Sequence, residues 1–93
     1  MTVSVKTVKG QKFHLGEIVV AEGARINLSQ ARIRRAIADH ARLKGASPGQ
    51  TREILRMHRK GAPIITAVHN SKTGRQLAIH TNPDDQRTVI DEY

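Results

Sequence analysis

The chain has 93 residues, 38% of them hydrophobic, with two aromatic residues, no cysteine and a formal charge of +8. This length fits one compact domain, and the missing cysteine removes disulfide scaffolds, zinc–thiolate sites and cysteine nucleophiles together. No apolar run is long enough to span a bilayer, and MTVSVKTVKG lacks the basic-then-apolar order of a signal peptide, so a cytoplasmic protein without membrane contact is expected. A chain this small buries a modest share of its surface, which makes a homodimer the expected source of extra stability.

In chain order, TVSVKTV and KFHLGEIVV are rich in β-branched residues and are broken by KGQ at 9–11. They predict strands at 2–8 and 13–20, hence an N-terminal β-hairpin over 1–20. AEGAR at 21–25 leads out of the sheet. Asn27 then stands as a helix cap with Gln30 three residues on, and Ile26 precedes it where a hydrophobic staple sits. Spacing at 100° per residue puts Ile33, Ile37 and Ala41 on one side and Arg35, Asp39 and Arg42 on the other. The helix should end near Lys44, with Gly45 as the left-handed residue beyond it.

GASPGQTREIL at 45–55 opens a second helix: Ser47 caps, Pro48 takes the first helical position, and Gln50 completes a capping box. It runs to about Lys60, with Thr51, Ile54, Leu55 and His58 inward. Arg52, Arg56 and Lys60 form an outward ladder, with Arg59 beside it. A three-residue corner between the helices implies a steep crossing. APIITAVH and RQLAIHT, joined by a turn at NSKTG, predict a second hairpin over 62–82 with Lys72 and Arg75 at its tip. Residues 83–93 read as an acidic tail or an edge strand. The predicted architecture is α+β in the order β-β-α-α-β-β, a single domain with a basic helical pair at 27–60.

Charge points to the partner. Between Arg25 and Lys60 lie ten basic residues and two acids, Asp39 and Glu53, a net +8, while the remaining residues are balanced at six against six. Such a block fits a polyanion, because neutralising phosphates releases condensed counterions; the competing reading is a solubilising face.

The segment DHARLKGASPGQTREILRM, residues 39–57, resembles the helix-turn-helix of bacterial and phage DNA-binding proteins. Ala41, Gly45, Ala46, Ser47 and Ile54 fill that pattern's small, glycine, small, hydroxyl and apolar places, whereas His40, Lys44 and Thr51 stand where apolar residues are usual. The hairpin after the second helix is similar to the wing of winged-helix proteins. This resemblance implies a transcriptional regulator whose second helix enters the major groove of duplex DNA. Arg52 and Arg56 would then contact guanine or phosphate, Gln50 adenine, and Ser47 a phosphate, with Arg59 at their side. Lys60, Arg35 and Arg42 would supply salt-sensitive affinity, and Lys72 and Arg75 would grip the backbone from the hairpin tip.

Phe13 and Tyr93 are too few for a stacking platform, which disfavours unpaired RNA or DNA and leaves duplex DNA, or RNA held by backbone and shape. His40 and His58 fall on or beside the inward helix faces, and His14, His69 and His80 on strands, where packing is the commoner role than a metal site. The same histidines carry the alternative of a metal-independent ribonuclease, with His58 beside Arg59 and Lys60, or His69 and His80 on adjacent strands, as acid–base pair. The layout of two helices followed by a sheet is similar to that of small ribonuclease toxins. A third class is an inhibitor that binds a protein partner through the basic block. No Walker or nucleophile-elbow motif is present, and neither a cofactor nor a metal is called for.

Overall fold

A computed structural model describes residues 2–3, 8–68, 74, 76–84 and 86–92, without the side chains of residues 2 and 3. His69, Lys72 and Arg75, and with them the tip of the second predicted hairpin, lie outside the described residues. The fold is α+β: β1 (Thr2–Val3), β2 (Glu17–Val20), α1 (Glu22–Asn27), α2 (Gln30–Ala41), α3 (Pro48–Arg59), β3 (Ile64–Val68), β4 (Leu77–Asn82) and β5 (Arg87–Glu92).

The sheet order is β1-β2-β5-β4-β3. β2 and β5 run parallel, while β1–β2, β5–β4 and β4–β3 are antiparallel. The parallel pair makes everything between Val20 and Arg87 one crossover, and the helices cover one face of the sheet. Alternation selects that face: Ile18, Val20, Leu77, Ile79 and Ile90 are buried on it, against Ile33 and Ile37 of α2. On the other face Val19, Val89, His80 and Ile65 stand opposite one another across four strands.

Several expectations are corrected. The segment 83–93 is neither a tail nor an edge: β5 sits between β2 and β4 with Thr88 and Ile90 fully buried. Its four acids mask a TVI alternation that puts Thr88 and Ile90 in the core; of the described acids, Asp84, Asp91 and Glu92 are exposed. The strand expected over 13–20 begins at Glu17; Phe13 and Leu15 are buried core residues on an irregular stretch instead. β1 does pair with β2, Thr2 opposite Val19, so the N-terminal hairpin has a far longer connection than KGQ.

AEGAR is helical. α1 buries Ala24 and lies across the end of β5, where Gly23 approaches Glu92 so closely that a Cβ would meet Glu92 Cγ at 2.8 Å. Asn27 therefore ends α1, its amide donating to the Gly23 carbonyl at 2.6 Å, and does not cap α2. Ser29 does so, accepting from the Arg32 N–H at 3.2 Å. Ile26 is 62% exposed and staples nothing. α2 stops at Ala41, three residues early, because Leu43 takes φ +53° and turns its side chain into the core. The corner thus spans residues 42–47, twice the length expected, and Gly45 at φ +91° completes it.

Candidate nucleic-acid interface

α3 begins as its sequence dictates. Ser47 Oγ accepts from the Gln50 N–H at 3.1 Å, the Gln50 side-chain oxygen accepts from the Ser47 N–H at 2.9 Å, and Pro48 occupies the first turn. Both side chains expected to reach nucleic acid are thereby committed to holding the helix start; the Ser47 hydroxyl hydrogen and the Gln50 amide group stay available at the exposed surface. Along the helix Thr51, Ile54, Leu55 and His58 are half-buried and no residue is fully buried, so α3 rests on the domain by one side. Ile54 and Leu55 pack against the core, and His58 meets Phe13, whose ring stands edge-on to His40 at 5.2 Å and tilted against His58 at 5.6 Å.

Arg52, Arg56, Arg59 and Lys60 are exposed on the outer side. They are not equivalent. Arg56 clasps Glu53 one turn back, with Nε donating to Oε2 at 3.1 Å and Nη2 to Oε1 at 2.5 Å. That hydrogen bond holds the Glu53 carboxyl below, and the Arg56 guanidinium above, its ordinary pKa. The i,i+3 spacing of Glu53 and Arg56 is the sequence signal for this pair.

The rest of the basic block is spread over more than one surface. Arg42 Nε donates to the Lys9 carbonyl at 2.8 Å and ties the end of α2 to the N-terminal loop. Arg35 and Lys44 instead line a groove between α2 and β3, Lys44 lying 3.9 Å from Asp39. Arg52, Arg56, Arg59 and Lys60 are brought together on α3; Arg35 and Arg42 project from different sides of α2 and its end.

The histidines part company. His40 is 1% exposed and hydrogen-bonded through both ring nitrogens, to Thr66 Oγ1 at 2.7 Å and Thr81 Oγ1 at 2.8 Å. Burial, reinforced by positive charge on His80 and then His58, lowers its pKa to about 4. Thr66, Thr81 and Thr88 come from strands distant in sequence, so no local pattern announces this arrangement. His58 Nδ1 lies 3.0 Å from the Ala62 carbonyl, and His14 is exposed. His80 stands on the face of the sheet opposite the helices, away from His58. Among the described residues no cluster of three metal-binding side chains occurs, and no helix is long and apolar enough to cross a membrane.

No protein-family model, curated protein or solved structure matches this chain.

Proposed function

We propose that this protein binds duplex DNA through the outer side of α3 and acts as a transcriptional regulator of helix-turn-helix type. One observation carries the reading: a helix fixed at its N-terminus by a complete capping box and Pro48, seated by one side only, holds four exposed cations outward. A helix entering the major groove needs this combination of a fixed start and an unobstructed face. Ala41, Gly45, Ala46 and Ser47 supply the corner, with Ala41 fully buried and Gly45 left-handed. Arg52, which no acid clasps among the described residues, is the leading base-reading or phosphate-clamping side chain, Arg59 and Lys60 add phosphate contacts, and Arg56 acts only when Glu53 lets go. In a homodimer, two copies of α3 would address half-sites about 34 Å apart.

The test is fluorescence anisotropy of a labelled duplex of about 30 base pairs, titrated between about 50 and 200 mM salt, with a matching RNA run on a gel for cleavage. Binding that weakens steeply with salt, and by about 1–3 kcal/mol in Arg52→Ala on a preferred sequence, supports the reading. Absence of binding at the lower salt sinks it, and cleaved RNA would transfer the case to the ribonuclease alternative.

A further inference from the structure

β3 is an outer strand of the sheet. Its one partner strand among the described residues is β4, so a row of backbone N–H and C=O groups between Ile64 and Val68 faces outward. Two hollows follow this edge. Toward Val68 a groove of about 740 Å³ separates β3 from α2, with Thr66, Ala67 and Val68 on the strand side and Arg35, Asp39 and Lys44 on the helix side. Toward Ile64 a mainly apolar hollow of about 360 Å³ is formed with Ile54 and Met57 of α3 and Pro63; its one charged lining residue, Glu53, is clasped by Arg56. Thr66 lines both, which places them end to end along the strand.

The walls say what would fit. The α2 side carries three cations, Arg32, Arg35 and Lys44, against the single acid Asp39, a net +2. The α3 end exposes Met57 (43%) and Ile65 (59%) together at one hollow. Thr66, midway along the strand, is tied to the buried His40 at 2.7 Å, and β4 holds every residue of β3 from the other side, so the edge is already formed before anything docks.

We propose that this edge is a docking site for an extended acidic segment of a partner protein, which adds to β3 as a further strand. Successive side chains of the added strand point to opposite faces. One set enters the grooves, where acids meet Arg35 and Lys44; the other lies beside Ile65 and Ala67 on the open face of the sheet. A second copy of this chain fits badly. Edge-to-edge pairing would bring two cationic α2 walls together, and the chain's own acidic segment is locked inside the sheet as β5. The site meets α3 through Glu53, Ile54 and Met57, has no contact with Arg52, and stands whether or not the arginine ladder binds DNA.

The experiment uses the full chain and a fluorescein-labelled octapeptide of alternating Glu and Val, with the Lys/Val peptide as its control. Anisotropy should give a Kd on the order of 100 µM or tighter for the acidic peptide and no binding for the basic one. Hydrogen exchange should slow at the amides of Ile64–Val68 when the acidic peptide is present. The variant Arg35→Glu/Lys44→Glu changes two exposed side chains, keeps its circular dichroism, and should bind roughly tenfold more weakly, whereas Arg52→Ala should bind as the parent does. Failure of the acidic peptide to bind, equal binding to the charge-reversed variant, or binding that leaves the β3 amides unprotected would overturn the proposal. So would β3 amides already protected in a peptide-free dimer, which would assign the edge to a second copy, or their protection by duplex DNA.

Discussion

His40 Nε2 donates its proton to Thr81 Oγ1 across 2.8 Å, and the direction of that bond is fixed three residues away in the chain of contacts. The Leu15 carbonyl can only accept, so the Thr88 hydroxyl donates to it at 2.6 Å. Thr88 has no second hydrogen, so the Thr81 hydroxyl must donate to Thr88 Oγ1 at 2.7 Å. Thr81 in turn has only acceptor capacity left for His40, which leaves His40 Nδ1 to accept from Thr66 at 2.7 Å. The neutral imidazole therefore satisfies every member of a buried polar chain that links α2 to β3, β4 and β5. Among the described residues no buried side-chain nitrogen or oxygen lacks a partner.

The first prediction concerns pH. Burial, with positive charge on His80 and then His58, depresses the His40 pKa to about 4 from 6.5, and protonation would also force the Thr66 hydroxyl to turn away. Above pH 6.5 His40 is neutral in both folded and unfolded chains and imposes no slope. As pH falls from 6.5 toward 4 the unfolded chain takes up a proton that the folded one refuses, and stability drops by about 3 kcal/mol in total. Urea unfolding followed at several pH values should show this decline in the parent and a flatter line in His40→Gln. A parallel decline in both would remove His40 as its source.

Thr88→Val tests the same chain at its other end. It keeps the shape of a fully buried residue but leaves the Leu15 carbonyl without its donor and the Thr81 hydroxyl without its acceptor. A loss of about 1–3 kcal/mol is expected. In a double-mutant cycle Thr81→Val should cost less on the Thr88→Val background than alone, since the two hydroxyls serve one another. Additive costs would mean the bonds act independently.

Much of this fold was readable from local chemistry, and the exceptions share a cause. Ser47, Pro48 and Gln50 predict the start of α3 because capping needs only neighbours in sequence, and the structure has all three in place. The antiparallel β3–β4 pairing is the one that the segments APIITAVH and RQLAIHT predict. What failed depended on distant contacts: Asn27 satisfies its amide within α1 beneath Glu92, Leu43 leaves the helix for the core, and β5 is drawn between β2 and β4. In the candidate site the exposed ladder on α3 was legible from spacing. The neutralising clasp of Glu53 on Arg56 is equally local, an i,i+3 pair that a net charge does not reveal.

Gly16 carries a third prediction. It sits at φ +67° where β2 begins, and a Cβ there would lie 1.8 Å from the Gln86 carbonyl oxygen, whose partner is the Glu17 N–H at 3.1 Å. Gly16→Ala must therefore strain its own backbone and push apart the start of the parallel β2–β5 pair. A loss above about 3 kcal/mol is expected, larger than a left-handed alanine alone would cause. Gly45→Ala is the control: its φ is +91°, yet no atom lies within 4 Å of the added carbon, so only the backbone term applies. Thermal unfolding should rank the two well apart, and equal losses would show that the contact with Gln86 relaxes freely.

The last prediction separates the charges on α3. If Arg52 and Arg56 served DNA alike, removing either would matter equally, but Arg56 is already bonded twice to Glu53 and Arg52 is not. Arg56→Ala should consequently weaken duplex binding less than Arg52→Ala does. Glu53→Gln should act in the opposite sense, because it loosens the hold on the Arg56 guanidinium and removes an exposed carboxylate from beside the arginines. Its affinity should rise severalfold, and the plot of log affinity against log salt should steepen by up to about one unit, the signature of one more phosphate neutralised. Both quantities come from the same anisotropy titrations. A Glu53→Gln protein with unchanged affinity and slope would show that α3 meets its partner by another face, and would withdraw the assignment of the arginine ladder to DNA.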